Sequence, residues 1–254
     1  TKSDPKFAVT SFNSLGLIDV GNDAEPTFVD IDNDGDQDAF IGSGSGGVKF
    51  FKNTGAANNP IFAAPSTNPF GLSNVGILAT SPAFVDIDGD GDRDAFVGAL
   101  FFRNTGTVSN PIFASPEVDP FGLNNGGSYG ANPAFADIDN DGDSDAFISD
   151  SFYENTGTAS NPVFIGEHDP FDLGFPPYSN NITLVDLEGD GDFDIFVGYS
   201  YKSFFITKFY ENTGTANEPS FNSSDASVYG LNLIRNGATS FVDIDNDGDL
   251  DAFQ

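Results

Sequence analysis

The chain has 254 residues, 39 acidic against 9 basic, a formal net charge of −30, 28 Phe, 29 Gly and no Cys, Met or Trp. That charge excludes nucleic acid and anionic membrane surfaces as partners, since Lys and Arg clusters bind phosphates. No apolar run approaches the ~18 residues of a spanning helix, so no membrane insertion is expected, and zero Cys removes disulfides, zinc-thiolate sites and thiol nucleophiles.

An aromatic share of 14% is too high for a disordered acidic chain. A folded domain is expected, and it must account for where its negative charge sits. No targeting h-region is visible at the N-terminus.

In chain order, the first 25 residues carry PKFAVTSFNSLGLIDVG, which aligns with PIFAAPSTNPFGLSNVG from Pro60. Five copies of one pattern follow: TFVDIDNDGDQDAFIG from Thr27, AFVDIDGDGDRDAFVG from Ala83, AFADIDNDGDSDAFIS from Ala134, TLVDLEGDGDFDIFVG from Thr183 and SFVDIDNDGDLDAFQ from Ser240. A period of roughly 50 residues marks a repeat architecture.

Each copy reads as four short strands. The first is xFVDI and the second DAFIG, both mixing β-branched and aromatic residues. The third is the aromatic run ending at Asn53, Asn104, Asn155 or Asn212, each followed by Thr-Gly. The Gly of that turn is expected to supply a positive φ. The fourth lies around Asn-Pro-x-Phe, where Pro suits an outer edge. Residues before the Asn-Thr-Gly turns swap sign between copies (Lys52, Arg103, Glu154, Glu211) and read as a solvated strand face.

Four strands per copy predict an all-β chain: a β-propeller of four-stranded blades spanning residues 1–254 as one domain. The expected ring is five-bladed. Residues 1–25 supply a fourth strand to a last blade whose first two strands come from residues 240–253, so that blade is shared between the N- and C-termini. Nothing matches its third strand, so the native chain is expected to run past Gln254 by ~5–10 residues, one strand's length.

The pattern D-x-D-x-D-G-x-x-D carries the chemistry. The candidate ligands are Asp30, Asp32, Asp34, Asp36 and Asp38; Asp86, Asp88, Asp90, Asp92 and Asp94; Asp137, Asp139, Asp141, Asp143 and Asp145; Asp186, Glu188, Asp190, Asp192 and Asp194; and Asp243, Asp245, Asp247, Asp249 and Asp251. Alternate side chains in a tight loop converge on one point. Carboxylates at positions 1, 3, 5 and 9 with the position-7 carbonyl make an all-oxygen site, which is calcium chemistry. One Ca²⁺ per repeat, up to five, is expected. Position 12 is never the Glu of an EF-hand, and the flanks are strands. Glu188 adds a methylene and predicts a rearranged fourth site.

These loops, the DAF[IV]G strand after them and the downstream Phe-Gly resemble the FG-GAP or VCBS repeat, related to integrin α-subunit heads. The resemblance implies a calcium-binding β-propeller outside the cell, in the periplasm or on the cell surface, acting in adhesion, ligand binding or scaffolding. Its partner would be a protein or glycan. Near-identical blades suit a repeated, lectin-like interaction. Tyr129, Tyr178, Tyr199, Tyr201 and Tyr229 vary between copies and are the aromatic candidates for sugar contact, while the Phe residues recur in register and read as core. A structural scaffold is the second reading and a glycosidase-like propeller the third. No enzyme is expected: His168, the lone His, lies in a variable linker, and no catalytic pair stands out.

Overall fold

In a computed structural model of the protein, the described residues are 5–8, 15–21, 24–42, 47–72, 82–98, 100–123, 133–169, 171–175, 179–201, 204–215, 217–231 and 239–253. Every strand pairing among them is antiparallel, as the alternation of β-branched and aromatic residues in short runs requires. Blade 1 is β1 (Glu25–Val29), β2 (Asp38–Gly42), β3 (Val48–Phe51) and β4 (Ser66–Thr67). Blade 2 is β5 (Pro82–Val85), β6 (Asp94–Val97), β7 (Leu100–Phe102) and β8 (Glu117–Val118). Blade 3 is β9 (Pro133–Ala136), β10 (Asp145–Ile148), β11 (Ser151–Asn155) and β12 (Phe164–His168). Blade 4 is β13 (Ser179–Val185), β14 (Asp194–Tyr201), β15 (Phe204–Asn212) and β16 (Phe221–Asp225).

Four complete four-stranded blades make a β-propeller, and the expected fifth blade is corrected. Residues 240–253 form only a two-stranded ribbon, β17 (Ser240–Val242) and β18 (Asp251–Phe253). Among the described residues no strand pairs with the outer edge of β18, and the described part of the N-terminal segment lies in no strand, so it adds no fourth strand to this sheet. That part is held by single bonds instead. Phe7 N–H donates to the Tyr229 carbonyl, and the Leu15 carbonyl accepts from Phe62 N–H, at 2.8 and 2.9 Å.

The core lies between blades. The Phe of one blade's second strand meets the Phe of the next blade's first strand: Phe40 with Phe84 at 4.6 Å between ring centroids, Phe96 with Phe135 at 4.8 Å, and Phe196 with Phe241 at 4.7 Å. Phe253 of the ribbon closes onto Phe28 of blade 1 at 4.4 Å. Such pairs add about 0.5–1.5 kcal/mol beyond the area they bury. Hydroxyls reinforce three junctions. Thr27 Oγ1 donates to the Pro82 carbonyl and Thr183 Oγ1 to the Thr239 carbonyl, each at 2.7 Å, and Ser240 Oγ donates to the Pro26 carbonyl. The ribbon is thereby wedged between blade 4 and blade 1.

The outer strand depends on proline. In blades 3 and 4 it starts directly at Phe164 and Phe221, paired with Asn155 and Asn212. In blades 1 and 2 the same register survives only as single bridges, Asn53 with Phe62 and Asn104 with Phe113, before β4 and β8 resume. Pro65 and Pro116 fall in that gap and remove a ladder donor.

The Asn-Thr-Gly turn is organised by its Asn, buried in all four blades. Asn155 Oδ1 accepts from Gly157 N–H and Val163 N–H at 3.1 and 2.9 Å, and the other three copies repeat this. The glycine is required for space rather than for a positive φ, which corrects the expectation. A Cβ on Gly55 would stand 2.3 Å from the Asn59 carbonyl oxygen and 2.7 Å from Ile61 N. Replacing Asn155 with Ala leaves two inward N–H groups without an acceptor. At about 1–3 kcal/mol for each unsatisfied donor, a loss of about 3 kcal/mol is expected. A melt followed by circular dichroism should then shift down by about 6–12 °C, and an unchanged melt would refute this role for Asn155.

Candidate metal centre

Each Asp loop joins the first strand of a blade to the second, so the hairpin tip fixes its ends. The loop then folds on its own first carboxylate. Asp30 accepts from Asp34 N–H through Oδ1 and from Gly35 N–H through Oδ2, both at 3.0 Å. Asp86, Asp137, Asp186 and Asp243 do the same. The fifth-position carboxylate then accepts from the seventh-position amide, as in Asp34 with Asp36 N–H at 3.1 Å. Two left-handed residues make the bend. Position 6 is Gly35 at φ 93° and its equivalents; nothing would touch a Cβ there, so the requirement is conformational alone. Position 4 is Asn33, Gly89, Asn140, Gly189 or Asn246, all at positive φ. The Asn/Gly alternation at position 4 is in the sequence, and it identifies a second left-handed site.

This fold brings ligand atoms of positions 1, 3 and 5 within 4.8 Å of one another in four loops: Asp30, Asp32 and Asp34; Asp86, Asp88 and Asp90; Asp137, Asp139 and Asp141; Asp243, Asp245 and Asp247. The ninth-position carboxylate is not part of those groups. It is buried and tied to the third strand, Asp38 Oδ1 accepting from Asn53 N–H at 2.7 Å, with Asp94, Asp145 and Asp194 bonded alike to Asn104, Asn155 and Asn212. Its other oxygen is left over in two blades: Asp38 Oδ2 and Asp94 Oδ2 are buried without a partner. So are Asp32 Oδ1 and Asp88 Oδ1 at position 3. Buried carboxylate oxygens that lack donors are costly unless a cation meets them. A divalent ion fits this donor set, which is all hard oxygen, in the manner of Ca²⁺.

The protonation equilibria carry the same strain. Burial pushes the Asp38, Asp94 and Asp145 carboxyls up to about 7, against the lowering effect of the Asn amides, and the neighbouring loop carboxylates add to the rise. Asp92, Asp139 and Asp143 are also raised, by burial first and then by the charges around them. At Asp251 of the ribbon, burial again leads.

Loop 4 differs from the other four. Its residues do not appear among the converging groups of described residues. The longer Glu188 side chain instead hydrogen-bonds Asp194, which burial and this contact push up to about 8. Asp192 is raised to about 6 by burial and by its contact with Asp190.

The sign-swapping position before the Asn-Thr-Gly turn is more than a solvated face. Lys52 Nζ pairs with Asp32 Oδ2, and also with Asp34 Oδ2 at 3.2 Å. Arg103 pairs with Asp88 Oδ2 while its guanidinium lies 5.6 Å from the Phe101 ring centroid. The Asp32 hydrogen bond holds the Lys52 ammonium above its ordinary value. At Asp34 burial acts upward, but the Asp36 amide and Lys52 outweigh it and the carboxyl is lowered. Sequence reasoning missed this contact; the signal available was that both cations stand one residue before the Asn that grips the ninth Asp.

Other expectations resolve unevenly. Tyr229 is buried and packs edge-on against Phe209 at 4.9 Å, so it belongs to the core and not to a sugar platform. Tyr199 and Tyr201 lie on β14, and Tyr129 and Tyr178 fall outside the described residues. His168 ends β12 instead of sitting in a linker. The recurrent Phe residues are core, as expected from their register.

Among known proteins, the family described as an FG-GAP-like repeat matches residues 30–97, which span the first Asp loop, the third strand, the Pro-Phe-Gly turn and the second loop. No curated protein matches the sequence. The crystal structure of the V. cholerae biofilm matrix protein Bap1 aligns with 79% of this chain and 28% of its own, at 13% identity and a TM-score of 0.37. The chain therefore spans less than a third of that protein's length.

Proposed function

From the FG-GAP-like repeat at residues 30–97 and its recurrence along the chain, we propose that this protein is a calcium-stabilised propeller module of structural or adhesive type, working outside the cell or in the periplasm. The observation that carries the reading is the set of buried, partnerless carboxylate oxygens, Asp32 Oδ1, Asp38 Oδ2, Asp88 Oδ1 and Asp94 Oδ2, beside carboxylate triads that already converge within 4.8 Å. Positions 1, 3, 5 and 9 would hold the ion with the seventh-position carbonyl. The ion would supply charge neutralisation and cross-link the hairpin tip to the third strand through the ninth Asp. Loops of extracellular modules bind at ~10⁻⁴–10⁻³ M, which suits calcium-rich surroundings.

The charge distribution supports a binding surface nearer neutrality than the composition suggests, because 25 of the 39 acids lie in the five loops. With those compensated, a protein or glycan ligand meets a far less acidic face. Burial of Tyr229 leaves the glycan reading with fewer aromatic platforms, so a protein ligand or a purely structural role is favoured. Among the described residues no helix is long and apolar enough to cross a membrane.

Isothermal titration of chelator-stripped protein with CaCl₂, and separately with MgCl₂, tests the metal reading. Saturable calcium binding at several sites per chain, with magnesium much weaker, is expected. Absence of calcium binding up to 10 millimolar, an upper limit set about an order of magnitude above the expected range, would overturn it.

A further inference from the structure

We propose that Lys52 and Arg103 act as tethered counter-ions that weaken the metal sites of blades 1 and 2, so that the protein holds its ions in graded classes, with the site of blade 3 tighter than those of blades 1 and 2. The inference rests on the calcium reading above and assigns a role to two residues of this chain. In both blades the cation takes the outer oxygen of the third-position carboxylate, Oδ2 of Asp32 or Asp88. The inner oxygen, Oδ1, stays buried and without a partner. Lys52 also reaches Asp34 Oδ2 at 3.2 Å and so bridges two of the three triad carboxylates of blade 1, while Arg103 holds the third-position carboxylate of blade 2; both lower the negative charge that an ion would meet.

Blade 3 offers the contrast within one molecule. Its triad of Asp137, Asp139 and Asp141 converges like those of blades 1 and 2, but the equivalent position is Glu154, an anion on the same strand. The loop backbones are alike to within a few tenths of an ångström in their Asp–amide bonds, 3.0 and 3.0 Å at Asp30 against 3.0 and 3.1 Å at Asp137. The sign of the charge at this position separates the sites, and so does one further contact: Asp145 Oδ2 accepts from Ile138 N–H at 3.2 Å, while Asp38 Oδ2 and Asp94 Oδ2 have no partner, so substitutions at 52, 103 and 154 are what isolate the charge. Blade 4 carries Glu211 there, but its Glu188 is diverted to Asp194, so its affinity is set by that rearrangement. For a divalent ion and a unit charge separated by one bridging carboxylate, about 6 Å, Coulomb's law in water-like surroundings corresponds to about a tenfold change in affinity per charge.

The test is a calcium titration followed by NMR at the amides of Gly35, Gly91 and Gly142, one reporter in each loop. Wild-type protein should saturate at Gly142 first, with Gly35 and Gly91 about tenfold or more weaker. Lys52→Gln with Arg103→Gln should tighten the Gly35 and Gly91 sites about tenfold and leave Gly142 unmoved. Glu154→Lys should weaken Gly142 alone, and it serves as the independent arm if the double variant does not fold. Equal affinities at the three glycines in wild type, or no site-specific change in either variant, overturn the proposal while the calcium reading stands. If none of the three amides responds to calcium, the reading itself fails and the proposal falls with it.

Discussion

Stripping calcium with excess chelator should lower the melting temperature by about 10–20 °C, and returning calcium should restore it. Four loops carry a converged triad. At about 1 mM Ca²⁺ and a dissociation constant near 10⁻⁴ M, each site adds about 1.4 kcal/mol to stability, and four add about 6 kcal/mol. A chain of this size loses about 2–4 °C per kcal/mol. The empty loops add their own repulsion, since carboxylates ~5 Å apart repel by about 1–3 kcal/mol per pair between water-like and protein-like dielectrics. The effect should reach beyond the hairpin tips, because Asp38, Asp94 and Asp145 tie three of these four loops to the third strand of their blades. Differential scanning calorimetry with metal content checked by mass spectrometry decides the matter. An unchanged melt in demonstrably calcium-free protein would sink the structural role of the ion.

Much of the blade was legible because its determinants are local. The strand-loop-strand hairpin follows from β-branched and aromatic residues flanking a turn whose positions 4 and 6 demand left-handed residues. The third strand and its Asn turn recur with the same letters. What was not legible depends on contacts between segments distant in sequence. The gap in the fifth blade was itself legible, since no segment matched its third strand; the alignment of residues 1–25 with a fourth strand could not supply the pairing, and residues 240–253 form a two-stranded ribbon. Gly55 was read for the wrong reason, since sequence cannot report that the Asn59 carbonyl passes 2.3 Å from where a Cβ would be. Tyr229 varies between copies yet is core, because it fills the place that Phe70 and Phe121 hold in blades 1 and 2. Lys52 and Arg103 looked solvated because a strand position carries no sign of which hairpin tip it faces.

The second large effect is an inverted pH dependence in metal-free protein. An ordinary aspartate that is charged in the native state and well partnered favours neutral over acidic pH. Here the buried ninth-position carboxyls act the other way, rising from 3.8 to about 7 in blades 1, 2 and 3 and to about 8 in blade 4. Between those limits the native chain binds more protons than the unfolded chain, so the slope of unfolding free energy with pH is negative. Stability is therefore highest near the lower limit and is lost as pH rises through 7 to 8. A tenfold displacement of one carboxyl's ionisation is worth about 1.4 kcal/mol. Even two such increments, a fraction of what four displaced carboxyls allow between pH 5.5 and pH 8, make about 3 kcal/mol, or a melting temperature lower by about 6–12 °C at pH 8 than at pH 5.5. Calcium should abolish the inversion, because the ion favours the same ionised carboxylates that burial disfavours. Melts at the two pH values, with chelator and with calcium, test both halves. A metal-free protein that melts higher at pH 8 than at pH 5.5 would show that the ninth-position carboxyls do not carry the strain assigned to them.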